Sequence, residues 1–245
     1  MSRKYLAFDI ETAKVQPVSE RDWKPHRPLG ISCAATLMSG SDEPLLWHGG
    51  LNHKRPASRM NRQEVMRLVN YLASQVKRGY TIVTWNGVGF DFDILAEESG
   101  MLQKCKCLAG DHVDMMFHVL CKVGYAISLD SAAKGMDLVG KKAGMTGAMA
   151  PRLWAQGRRE EVLEYVAHDA QITLELAQTC ESQGYIRWVT RSGKRRKLSL
   201  PEGWFPVSLA ERLPEPYNFW MRSQWSRTRF TAWLRSRDRK SSSSR

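Results

Sequence analysis

Apolar positions along this chain recur with two periods. Tyr5, Leu6, Ala7, Phe8 and Ile10 form a run broken only by Asp9, as in a strand buried on both faces. Ile31 to Met38, Pro44 to His48 and Tyr80 to Trp85 read as further strands, with Gly and Ser punctuation between the early ones. The period then lengthens. A helix is predicted from Asn61 to Lys77, opened by an Asn61/Glu64 capping pattern. Another carries the stripe Phe90, Ile94, Leu95 and stops at Gly100. Lys104 to Leu108 reads as a short strand, and Glu160 to Ser182 as a long helix of good formers. Three meandering strands followed by alternating helices and strands predict an α/β fold, a mixed five-stranded sheet flanked by helices.

Beyond residue 183 the pattern changes. Tyr185 to Thr190 and Arg196 to Leu200 resemble hairpin arms closed at Arg191-Ser192-Gly193-Lys194. Residues 1–183 are therefore expected to form the main domain and 184–235 a small extension. The serine-rich stretch 236–245 is expected to be a disordered tail.

Charge separates the same two parts. The chain carries a net +12, and residues 185–245 hold 15 basic against 4 acidic side chains, leaving the rest nearly neutral. A basic segment suits phosphate. Trp188, Trp204, Trp220, Trp225 and Trp233, five of the nine tryptophans, are interleaved with its arginines. Basic residues track a nucleic-acid backbone and aromatics stack bases. The competing reading, favoured for the tryptophans, is that they dock the extension onto the domain. Arg187, Trp188, Lys194, Arg195, Arg196 and Lys197 are the candidate strand contacts, with a localisation or partner patch as the alternative use of the basic run.

The candidate chemistry lies in three acidic segments: Phe8-Asp9-Ile10-Glu11-Thr12, Asn86-Gly87-Val88-Gly89-Phe90-Asp91 and Tyr165-Val166-Ala167-His168-Asp169. On a strand Asp9 and Glu11 share a face. Tyr165 and Asp169, four apart, share a face of the long helix. Asn86-Gly87 turns at the carboxyl end of a strand, where open α/β sheets bind ligands. Hydrolysing a phosphodiester brings water onto a centre ringed by negative oxygens. Divalent cations solve that problem, and hard cations take carboxylate oxygens. Asp91 and Asp93 could each instead be first-turn acids favoured by the helix dipole, a role that suits Asp93 better.

These segments resemble the three motifs of the DEDD superfamily of 3′–5′ exonucleases, which includes polymerase proofreading domains and ribonuclease D. The tyrosine four residues before the last aspartate marks the DEDDy branch. In the DEDDh branch a histidine stands five residues before it, where this chain has Glu164. The resemblance spans roughly residues 1–183 and implies an RNase H-like fold, with Tyr125 to Ser131 resembling the helix start that precedes the third motif in relatives and Ser128 as its cap. It further implies two divalent ions, Mg²⁺ or Mn²⁺, and hydrolysis from a 3′ end. Asp9, Glu11 and Asp169 would hold one ion. Asp9 would bridge to the second, supported by Asp91, whose register with Phe90 selects it over Asp93. Tyr165 would orient the water, and Thr12, Asn86 and Phe90 would contact the terminal nucleotide.

The function expected is a metal-dependent 3′–5′ exonuclease on single-stranded nucleic acid, DNA favoured over RNA, with a polymerase, helicase or other processing protein as a candidate partner. The alternatives are a non-catalytic nucleic-acid-binding or partner-recruiting module and an RNase H-like endonuclease. Neither a signal peptide nor a membrane span is read, so the cytoplasm is expected. Five cysteines fit a reducing compartment. Cys105, Cys107, His112, His118 and Cys121 could suggest zinc but match no standard ligand spacing, and Met115-Met116-Phe117 among them reads as core. No glycine-rich nucleotide fingerprint is present.

Overall fold

In the computed structural model the described residues are 3–16, 22–50, 56–141, 146–219, 221 and 225–236. Trp220 and all of the expected tail 236–245 except Ser236 lie outside them; Ser236 itself is ordered, its hydroxyl donating to the Trp233 carbonyl at 2.7 Å. Three strands, β1 (Tyr5–Thr12), β2 (Ile31–Met38) and β3 (Leu45–His48), lead to helix α1 (Arg62–Lys77). Strand β4 (Thr81–Thr84), helices α2 (Asp91–Ser99) and α3 (Leu102–Asp111) and strand β5 (Val113–Asp114) follow. Helices α4 (Met115–Val123), α5 (Leu129–Gly135), α6 (Ala150–Ala155) and α7 (Arg159–Gln183) complete the main body. Strands β6 (Tyr185–Val189) and β7 (Arg195–Ser199) and short helices α8 (Val207–Ala210) and α9 (Thr228–Thr231) make up the C-terminal segment.

The five-stranded sheet runs β3-β2-β1-β4-β5. β1 is antiparallel to β2 and parallel to β4, and β4 is parallel to β5. The fold is thus the mixed, helix-flanked α/β sheet expected of an RNase H-like chain. Parallel pairing puts the carboxyl ends of β1 and β4 side by side, and that edge carries the chemistry. Residues alternate across β1. Tyr5 and Ala7 enter a core shared with Val162, Val166 and Ala170 of α7. Leu6, Phe8 and Ile10 enter a second core with Leu68 and Leu72 of α1.

One sequence expectation fails. Lys104 to Leu108 is not a strand; it lies within α3, and the fifth strand is Val113–Asp114. Lys-Cys-Lys-Cys-Leu alternates, but the buried residues are Cys105, Leu108 and Ala109. That spacing is helical and packs one face of α3 on the core.

Two capping features fix where helices begin. Asn61 accepts a bond from the Glu64 backbone N–H at 3.0 Å, and the Glu64 carboxylate accepts from the Asn61 N–H at 2.7 Å, a reciprocal capping box. Ser128 accepts from the Ser131 N–H at 3.1 Å and starts α5. The hairpin β6–β7 is docked rather than free. Ile186 and Trp188 point inward and are buried, and a Cβ on Gly135 of α5 would lie 2.3 Å from the Trp188 Cα. Trp204 sits in the core beside α7 and donates to the Ala177 carbonyl at 3.2 Å. Trp233 donates to the Val88 carbonyl at 2.7 Å. Among the described residues no helix is long and apolar enough to cross a membrane.

Candidate active site and metal centre

β1 ends in Asp9 and Glu11, separated by one residue and so on one side of the strand. α7 packs against β1 and β2 and delivers Asp169 to the same place. One carboxylate oxygen from each of Asp9, Glu11 and Asp169 lies within 4.8 Å of the others. Glu11 and Asp169 are buried and Asp9 is half-buried. Asp91 opens α2, is 3% exposed, and accepts a bond from the Ile10 backbone N–H at 3.1 Å. That bond binds the start of α2 to the end of β1.

Burial and mutual repulsion dominate the electrostatics. Desolvation holds Asp9 well above the usual carboxylate range, with Asp91, Asp169 and Glu11 adding repulsion. Glu11 is raised in the same way, first by burial and then by Asp169. Burial pushes Asp91 up to about 7 against the hydrogen bond from Ile10. A buried group of acids in this state gains from a cation. Part of that need is met by Lys141, whose ammonium donates to the Tyr165 hydroxyl at 2.9 Å and forms an ion pair with Asp169. Burial opposes the ammonium, yet Asp169 and Tyr165 hold it protonated above the usual lysine range. Tyr165 is likewise raised, by burial and then by Asp169, and stays a neutral phenol.

The other oxygen of Asp169, Oδ1, is buried without a hydrogen-bond partner among the described residues. The donor set is all oxygen, closely spaced and desolvated. It suits a hard divalent cation, and an unpartnered carboxylate oxygen is what such an ion would satisfy.

The two aspartates of α2 part company. Asp93 is held by Arg27, with Nη1 to Oδ2 at 3.0 Å and Nη2 to Oδ1 at 2.9 Å. Asp91 alone of the two lines the cavity of about 530 Å³ above the carboxylates. Asp9, Glu11, Thr12, Asn86, Phe90, Tyr165 and Asp169 line the same cavity. Its aromatic wall is Trp23 edge-on to Phe90, ring centres 5.3 Å apart.

The turn 86–90 is built for its position. Asn86 has φ 73°, the left-handed region that asparagine tolerates better than most residues. Gly87 lies so close to Thr84 that a Cβ would come within 2.3 Å of its Oγ1. The Asp114 carboxylate accepts from the N–H groups of Asn86 at 3.0 Å, Val88 at 2.9 Å and Phe117 at 2.9 Å, and so fixes the turn from below. The Asn86 side-chain oxygen has no partner among the described residues.

Sequence reasoning missed Lys141 and Asp114. Lys141 follows Gly140 in a loop, where neither periodicity nor spacing marks it. Asp114 carried a weak signal as an acid after an apolar residue, the pattern that singled out Asp9.

The hairpin candidates lie elsewhere. Arg187, Trp188, Lys194, Arg195, Arg196 and Lys197 do not line the carboxylate cavity. Trp188 is buried, Arg195 is paired with Asp137 at 2.6 Å, and Arg187 and Lys197 lie over the Tyr185 ring at 4.6 and 4.0 Å. Lys194 and Arg196 are exposed. The cysteine and histidine group is dispersed as well. His112 bonds the Ala109 carbonyl and Thr84, His118 accepts from the Phe205 N–H, and Cys107 is exposed.

Comparison with known proteins agrees with this architecture. A family model described as RNase_H superfamily (RNase_H_2) matches residues 29–180, more than half of the chain. The match contains Asp91, Tyr165 and Asp169 and begins after Asp9 and Glu11. Among solved structures, the family B DNA polymerase from the hyperthermophilic archaeon Pyrobaculum calidifontis is similar, with a TM-score of 0.53 at 19% identity. The likeness covers 74% of this chain and 25% of the polymerase, so the chain spans about a quarter of that protein's length. No curated protein matches the sequence.

Proposed function

The chain belongs to the RNase H superfamily, a membership that supports a nuclease, and we propose that it is a metal-dependent 3′–5′ exonuclease acting on single-stranded nucleic acid, DNA in preference to RNA. The observation that carries this reading is the meeting of Asp9, Glu11 and Asp169 within 4.8 Å, with Asp91 and Tyr165 lining the same cavity. The order of these residues in the sequence is that of the DEDDy exonucleases. The fold likeness to part of a DNA polymerase is in keeping with it.

Asp9, Glu11, Asp91 and Asp169 would hold two divalent ions, which when bound activate a water and stabilise the leaving oxygen. The protein's own groups supply the rest. Phe90 and Trp23 form an apolar wall for the terminal base, and the unpartnered Asn86 oxygen is an acceptor for the sugar hydroxyl. Thr12 borders the same space. Tyr165, a neutral phenol, orients the attacking water through its hydroxyl. Lys141 steadies that hydroxyl and places a positive charge where the phosphate oxygens gain negative charge. The water oxygen bonds to phosphorus, the bond from phosphorus to the 3′ oxygen of the preceding nucleotide breaks, and that oxygen leaves with a proton. The products are a nucleoside 5′-monophosphate and a strand shorter by one.

The test is hydrolysis of 5′-labelled single-stranded DNA and RNA with Mg²⁺ or Mn²⁺, beside circular and 3′-blocked strands. A ladder shortening from the 3′ end, with circles intact, is expected. Cleavage of circles would replace the reading with an endonuclease. Strand binding without any cleavage would replace it with a recruiting module.

A further inference from the structure

A second cavity, of about 560 Å³, lies between α5 and the hairpin. Ser128 and Asp130 line both it and the carboxylate cavity. Its chemistry is different. Trp188 of β6 contributes an indole that is 3% exposed, with its N–H unpartnered among the described residues. Tyr125 stands edge-on to that indole at 6.3 Å, and Trp225, 41% exposed, lines the cavity as well. Exposed Arg191 and Lys134 supply positive charge. The single acid, Asp130, is neutralised by Lys134 at 2.6 Å and capped by the Lys141 backbone N–H at 3.1 Å.

The cavity is held rigidly. Ser131 donates to the Val189 carbonyl. The Arg187 N–H lies 3.1 Å from the Met136 sulfur. Gly135 admits no side chain against the backbone of Arg187 and Trp188.

We propose that this cavity is an upstream nucleotide subsite, taking a base of the same single strand whose 3′ end lies at the carboxylates; this rests on the exonuclease reading. Aromatic rings offer stacking, and base stacking on such rings tolerates any sequence. A buried indole N–H without an acceptor wants one, and every base and every phosphate carries acceptors. The flanking cations answer the phosphates. Ser128 and Asp130, common to both cavities, stand where a strand leaving the first would enter the second. The hairpin thereby joins the substrate path through Trp188 and Arg191 at its inner side, while the Arg195–Lys197 arm lies outside both cavities.

The experiment compares wild-type protein with Trp225→Ala/Arg191→Ala and with Trp225→Phe, all at solvent-exposed positions. Substrates are a 5′-labelled dinucleotide and a DNA strand of about ten nucleotides. On the longer strand the double variant is expected to raise KM about tenfold with kcat unchanged, while dinucleotide kinetics stay at wild-type values and Trp225→Phe behaves as wild type. Equal effects on both substrates, or no effect on the longer one, would overturn the subsite. If wild-type protein cleaves neither substrate, the exonuclease reading fails by itself. Fluorescence anisotropy on the longer strand then reads the cavity separately. Weaker binding by the double variant supports the subsite, and equal binding, or none by wild type, overturns it.

Discussion

Three buried acids and the half-buried Asp9 in one place are unfavourable unless something positive joins them, and in this protein Lys141 supplies part of it. The consequences belong to single residues. Asp9→Ala removes the carboxylate central to both proposed ion positions, so hydrolysis should fall below detection while far-ultraviolet circular dichroism is unchanged. A variant that still trims strands at the wild-type rate would remove Asp9 from the metal assignment. Lys141→Ala should lower kcat by about 100-fold, the usual loss when one preorganised positive donor is removed from a site, with little change in KM. A pure rise in KM would instead make Lys141 a ground-state strand contact. The division between Asp91 and Asp93 also belongs to this scale. Adjacent acids on one helix turn look equivalent in sequence, and Arg27, far off in the chain, decides which one is consumed by an ion pair.

At the scale of elements, local signals were good predictors where they stated a mechanism. The capping box at Asn61 was readable because both partners are three residues apart and need no tertiary context. Asn61→Ala should cost about 1 kcal/mol, measured as a lower urea midpoint with unchanged slope. An unaffected midpoint would mean the cap is replaced by water. The failure at Lys104–Leu108 has an equally plain cause. Five residues fit either period in sequence, and the burial of Cys105, Leu108 and Ala109 with Cys107 exposed reveals the helical one. The hairpin arm is a different matter, because its charges are exposed. Replacing Arg195, Arg196 and Lys197 by Ala should flatten the dependence of log Kd on log salt by about 0.7 per lost phosphate contact. Arg195 should contribute least, since it already holds Asp137. An unchanged slope would take this arm off the strand.

The whole molecule adds a coupling between ion binding and stability. The sheet edge brings acids from β1, α2 and α7 together, and folding has to bear their desolvation and repulsion. An ion that binds only the folded form stabilises it, by about 2.7 kcal/mol at a hundred times its Kd. Mn²⁺ should therefore raise the thermal midpoint, a chelator should lower it again, and Asp9→Ala should lose most of the shift. An equal shift in the variant would place the ion elsewhere. This measurement needs no substrate, so it separates ion binding from catalysis.

The sequence alone determined the α/β class, four of the five strands, the spacing of the acidic and phenolic motifs, and the concentration of positive charge after residue 184. Those features are local or periodic: a strand alternates, a helix repeats near four, and a motif keeps its spacing. The tertiary structure decided the rest. It placed Lys141 on Tyr165 and Asp169, used Asp114 to hold the Asn86 turn, and packed the hairpin on α5. It also opened a second cavity beside the first. Each of these joins residues distant in the chain, and such pairings are set by core packing and burial of charge, which leave no fixed spacing in the sequence.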